Sequence, residues 1–161
     1  MKQIQINQAK PNPSGKDRSR YSTPNSQLNA EWVDIKNIGD ENYPLNGIKL
    51  QHIAYGMYGT SEWHDVIRFN ISLAPNEVVR VHSGEKVSTE TLPLIDREGA
   101  DHHLFTKDNK YVWNNDKSDS PRLVLDSGWS TTEIDKATYD AYPPEGKILK
   151  RVGEKLIDSI Y

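Results

Sequence analysis

The chain has 161 residues, 35% of them hydrophobic, and no cysteine. That length suffices for one domain with a buried core, and the missing thiols exclude disulfides, thiolate metal centres and cysteine catalysis. The net charge of -3 is uneven: residues 1–20 hold five Lys/Arg against one Asp, residues 147–161 hold four against two acids, and the middle is acidic. A mean hydropathy of -0.79 predicts long polar loops, yet four Trp and eight Tyr are too many for a disordered chain. The opening MKQIQINQAKPNPSG lacks the apolar run of a signal peptide, and no stretch reaches transmembrane length, so no membrane insertion is expected.

Residues 2–9 alternate, with Ile4 and Ile6 on one face, and read as a first strand. Residues 7–29 become polar, with Pro11, Pro13, Gly15 and Pro24, and read as a long loop. Residues 30–50 read as a hairpin, the stretch around which the rest is organised. Val33 and Ile35 alternate with Trp32, Asp34 and Lys36; residues 37–42 supply turn chemistry; Leu45, Ile48 and Leu50 resume the apolar face. After a connection containing Gly56 and Gly59, Ile67, Phe69 and Ile71 oppose Arg68 and Asn70. A turn at 74–77 follows, with Asn76 suited to positive φ. Val79 and Val81 then point inward from a strand over 78–82.

Residues 85–109 have weak periodicity and read as loop, and strand character returns at 111–114. Two segments compete as the closing hairpin, RLVLDSG at 122–128 and KILKRVGEKLIDSIY at 147–161. The second, turning at Gly153, is preferred, with residues 117–146 as a separate stretch ahead of it. Within that stretch, Ser130 as N-cap and Glu133 as its capping-box partner predict a short helix near 130–140, stopped by Pro143 and Pro144. The whole reads as all-β: an antiparallel β-sandwich of about seven to nine strands.

Five stretches carry a family resemblance: KPNPSGKDRSR at 10–20, EWVDIKNIGD at 31–40, LNGIKL at 45–50, SLAPNEVVRVHSG at 72–84 and YVWNND at 111–116. Together they resemble the lamin tail domain in its bacterial form. The resemblance implies an immunoglobulin-like sandwich acting as a non-catalytic interaction or accessory module. It implies a protein partner and, as an alternative, DNA. It leaves 85–109 and 117–146 unexplained, and relative to its pattern 117–146 is an insertion before the closing hairpin.

No HExxH, P-loop, GxGxxG or GxSxG occurs. No catalytic residue, metal ligand or cofactor is therefore assigned, and an enzyme is not expected. Glu62, His64 and Asp65 with Asp101, His102 and His103 have no diagnostic metal spacing. The oxygen-rich run Asn114, Asn115, Asp116, Ser118 and Asp119 is better explained as a turn than as a calcium loop. His82, at a strand end, is expected to bond a loop carbonyl. Trp113 is expected in the core.

Two surface features remain. Lys10, Lys16, Arg18 and Arg20 could join Lys147, Lys150, Arg151 and Lys155 in one polyanion-binding patch if the two ends adjoin. Trp32, Trp63 and Trp129, with Tyr55, Tyr58, Tyr139 and Tyr142, offer aromatic contact for a partner or a carbohydrate, although a covering loop is the simpler fate for Trp32. The oligomeric state is not legible.

Overall fold

The computed structural model describes residues 2–16 and 23–158. The first strand, β1 (Ile4–Lys10), buries Ile4, Ile6 and Ala9. Those positions break strict alternation because the pairing of β1 shifts by one residue between Ile6 and Gln8. The bulge moves the inward parity from even to odd numbers, so an alanine and not a glutamine meets the core. A short helix, α1 (Asn25–Asn29), precedes β2 (Trp32–Asn37). The chain continues through β3 (Tyr43–Pro44), β4 (Ile48–Tyr55), β5 (Ser61–Arg68), β6 (Ser72–Leu73) and β7 (Val78–His82). A second short helix, α2 (Leu94–Arg97), leads to β8 (His102–Phe105). The last elements are β9 (Arg122–Asp126), β10 (Thr131–Lys136), β11 (Leu149–Val152) and β12 (Lys155–Asp158).

Two sheets face each other. One has the order β12-β11-β1-β2-β7-β8 and the other β10-β9-β4-β5, with β3 and β6 as a small separate pair. All pairs are antiparallel except β7 with β8. Val33, Ile35, Val79 and Val81 from the first sheet and Leu50 and Leu123 from the second meet in one core with Phe69, Leu73 and Trp113. Of the inward residues expected from alternation, Val33, Ile35 and Val79 are at 0% exposure and Phe69 and Val81 at 2%, while Ile67 and Ile71 are half-buried against the core. Asn76 adopts φ 68, the left-handed turn expected of it.

Several expectations are corrected. β2 and β4 do not form a hairpin. β2 pairs with β1 and β7, while β4 pairs with β5 and β9, so the turn carries the chain from one sheet to the other. The Asn37 side chain holds that crossing: its amide nitrogen donates to Glu41 O (2.8 Å) and Leu73 O (2.9 Å), and its oxygen accepts from Gly39 N–H (2.9 Å). The helix expected near 130–140 is the strand β10, hairpinned to β9 around Gly128 at φ 85. Thr131 and Thr132 are β-branched and favour the strand once β9 supplies a partner. Residues 85–109 and 117–146 are structured parts of the sandwich, and with β8, β9 and β10 they raise the strand number among the described residues to twelve, two of these only two residues long. The closing hairpin β11–β12 is present, with Gly153 at φ 63 in its turn.

Candidate functional site

Parts of four resemblance-bearing stretches, residues 10–16, Glu31, Ser83 and residues 111–116, meet at one end of the sandwich, where β4 finishes and the 111–119 segment crosses. Lys16 is at its centre and is 8% exposed. Its ammonium donates to Glu31 Oε2 (2.5 Å), Trp113 O (2.5 Å), Pro11 O (2.8 Å) and Asn115 Oδ1 (3.2 Å). Glu31 is fully buried, and its other oxygen accepts from Ser83 Oγ (2.5 Å) and Val112 N–H (2.8 Å). Burial pushes the Glu31 carboxyl above its usual range, and the Lys16 charge pulls against that. Beside this pair, Asp119 accepts from Ile53 N–H (2.8 Å), Ser120 N–H (2.8 Å) and the Asn114 side chain (2.9 Å), and it faces His52 Nδ1 at 3.2 Å. Tyr139 donates to Asn114 O (2.7 Å), and its phenol is held well above the usual range by burial. This network ties the 111–119 segment to both sheets.

A cleft of about 610 Å³ overlies the network, lined among others by Asn12, Tyr111, Asn115, Asp116 and Tyr142. Tyr142 N–H donates to Asn115 O (2.6 Å), while Tyr55 OH donates to Ser118 O (2.8 Å) from the end of β4. The β4–β5 turn, with Met57 and Tyr58, therefore lies at the same end as Tyr142. These three side chains are 75%, 94% and 78% exposed.

The two termini do adjoin, since Gln8 of β1 pairs with Lys150 of β11. They do not present the expected set of free cations. Lys10 is 4% exposed and donates to Asp96 Oδ1 (2.5 Å), and Lys16 is committed to Glu31. Arg151 grips both Asp135 oxygens (2.8 and 3.0 Å), and Lys155 pairs with Asp140 (2.6 Å). Lys147 and Lys150 are exposed and make no salt bridge among the described residues. Arg18 and Arg20 lie outside the described residues.

The tryptophans differ from one another. Trp32 is 0% exposed, a correction to its candidacy as a contact residue. Its Nε1 donates to Asp96 Oδ1 (2.9 Å), and the Arg80 guanidinium stacks on its ring at 3.7 Å while also gripping Asp34. The segment after β7 thus covers the outer face of β2. Trp63 is half-buried beneath Arg122, stacked at 3.8 Å. Trp129, at the β9–β10 hairpin tip, is 100% exposed. Of the tyrosines, Tyr139 is in the core. His82 Nδ1 meets Asn29 O at 2.7 Å, the expected loop-carbonyl bond, and Nε2 meets His103 Nδ1 at 2.7 Å. Burial pushes His82 down to about 3. Among the described residues no three His, Asp or Glu side chains converge as a metal site, and no helix is long and apolar enough to cross a membrane.

The meeting of residues 10–16 and 111–116 at the buried Glu31 agrees with the comparison of the whole chain. A family model for the Lamin Tail Domain matches residues 1–141. The chain belongs to that family. A comparison with curated proteins found no match. The lamin tail domain family is non-enzymatic and immunoglobulin-like, and the match takes in β9 and β10 but ends before β11 and β12. The partners of Lys16 were not legible in the lamin tail stretches. Lys16, Glu31 and Trp113 lie in separate loops and strands, with no periodic relation to signal their meeting.

Proposed function

We propose that this lamin tail domain is a non-catalytic module that binds a protein partner through its loop end. The backbone of two exposed tyrosines supports this reading. Tyr58 and Tyr142 have φ of 62 and 61, in the left-handed region. An L-residue there costs roughly 1–2 kcal/mol that glycine avoids. Neither ring is buried, so packing does not offset the strain. A side chain kept exposed on strained backbone fits one retained for contact. Tyrosine and asparagine together also supply rigid aromatic area and adaptable hydrogen bonds, as in other sandwich-end binding loops. Polyanion binding through the termini is less favoured, because Lys10, Lys16, Arg151 and Lys155 are engaged internally.

The test is a photo-crosslinking residue placed at 58 or 142 in the cell that makes the protein. The expected result is the same discrete protein adduct from both positions and none from position 132 on exposed β10. No adduct at 58 and 142, or an equal one at 132, overturns the reading.

A further inference from the structure

A second surface lies along the open side of the sandwich, and Tyr58 and Tyr142 are not among its lining residues. There the two sheets finish in unpaired edges: among the described residues β5 pairs only with β4, and β8 only with β7. A groove of about 240 Å³ runs between them. Ile67, Ile71, Leu104 and Phe105 give it an apolar floor continuous with the core. Arg68, Lys86 and Lys107 line it as well, all three exposed, with His103 and Asn70, and no carboxylate is among its lining residues. None of the three cations makes a salt bridge among the described residues.

We propose that this groove takes an extended, acidic segment of a partner protein, with one apolar side chain seated on the floor. Three features argue for that occupant. The volume is below the roughly 300–1,000 Å³ of small-molecule sites, so it suits a side chain and not a whole ligand. An edge strand offers a row of unpaired backbone N–H and C=O groups, to which an extended segment adds by main-chain hydrogen bonds. The cationic rim requires the flanking side chains of that segment to be acidic. Lys107 reinforces the point: its φ is 67 and its N–H donates to Gly84 O (2.8 Å), so a lysine occupies a turn where glycine would be unstrained. The proposal does not rest on the loop-end reading.

The experiment pans a phage-displayed library of random dodecapeptides on the whole domain. Recovered peptides are expected to carry acidic residues around a single aromatic or aliphatic anchor. The Lys86→Glu/Lys107→Glu variant should bind them at least about tenfold more weakly, since both changes reverse charge in the rim. The Tyr58→Ala/Tyr142→Ala variant should bind them unchanged, which separates this surface from the loop end. Backbone amide shifts on peptide addition should cluster at Ile67, Leu104 and Lys107. The proposal is overturned by recovery of no binder, by binders without acidic residues, or by equal binding to the charge-reversed variant. A domain that dimerises through the groove, with the dimer lost in that variant, overturns it too.

Discussion

Lys16 has three protons to donate and four acceptors within 3.2 Å, so its charge works as an internal brace. Removing either partner leaves the other buried and uncompensated. Lys16→Met and Glu31→Gln should each destabilise the domain by about 3–5 kcal/mol, with the double variant well short of the sum. Urea unfolding of the three variants checks this. The His82 ring gives a pH prediction. Burial first, then the nearby His103, Arg80 and Lys10 charges, depress its folded value to about 3, below an unfolded value of about 6.5. The unfolded chain therefore binds the extra proton, and the stability due to neutral His82 is complete above pH 6.5 and lost as pH falls towards 3. Its ring resonances should not titrate between pH 8 and 5 in an NMR titration; a midpoint near 6.5 would show the ring to be solvated. Counting charge along the chain located the basic ends, but it carried no information on Asp96, Glu31 or Asp135, which arrive from distant segments to pair with them. The burial of Lys10 and Lys16 was therefore not legible, whereas the His82 bond was, because a histidine ending a strand has loop carbonyls nearby whatever the topology.

At the scale of elements, the closing hairpin is the part whose role is least expected from the family match. It lies beyond residue 141, yet Leu149 and Leu156 enter the core at 3% and 2% exposure, and β11 covers the outer edge of β1. Leu156→Ala should cost about 2–5 kcal/mol. Deleting residues 147–161 should leave β1 as an unprotected edge and produce aggregates on size-exclusion chromatography; a monomeric, folded product would show the hairpin to be dispensable. Trp129→Ser, by contrast, should change stability by less than about 0.5 kcal/mol. The hairpin was legible because its alternation and its Gly153 turn are local signals. β10 carries a local helix signal, because Ser130 and Glu133 have capping-box spacing, while the partner that makes the segment a strand, β9, contributes nothing to local sequence. α2 and β8 were missed for a related reason: their segment is fixed by Asp96 meeting Lys10 and Trp32, not by its own periodicity.

For the whole molecule, alternation was enough to place Val33, Ile35, Phe69, Val79 and Val81 inside and so to indicate two packed sheets. It could not indicate which strand neighbours which, because β9 joins β4 from about seventy residues away and β8 enters parallel to β7. The groove cations, brought together from positions 68, 86 and 107, are a product of that long-range pairing and had no trace in the sequence. What remains at the surface after the internal braces are formed is a tyrosine-bearing loop end on a rigid sandwich. The central claim is that Tyr58 and Tyr142 serve contact and not the fold. It is tested most directly by the thermal unfolding temperature of the Tyr58→Gly/Tyr142→Gly variant. Relief of left-handed strain is worth roughly 1–2 kcal/mol per site, against about 0.4–1 kcal/mol of added unfolded-chain entropy. An unchanged or higher unfolding temperature is expected. A fall of more than about 4 °C, the mark of at least 1 kcal/mol lost in a domain of this size, would contradict it.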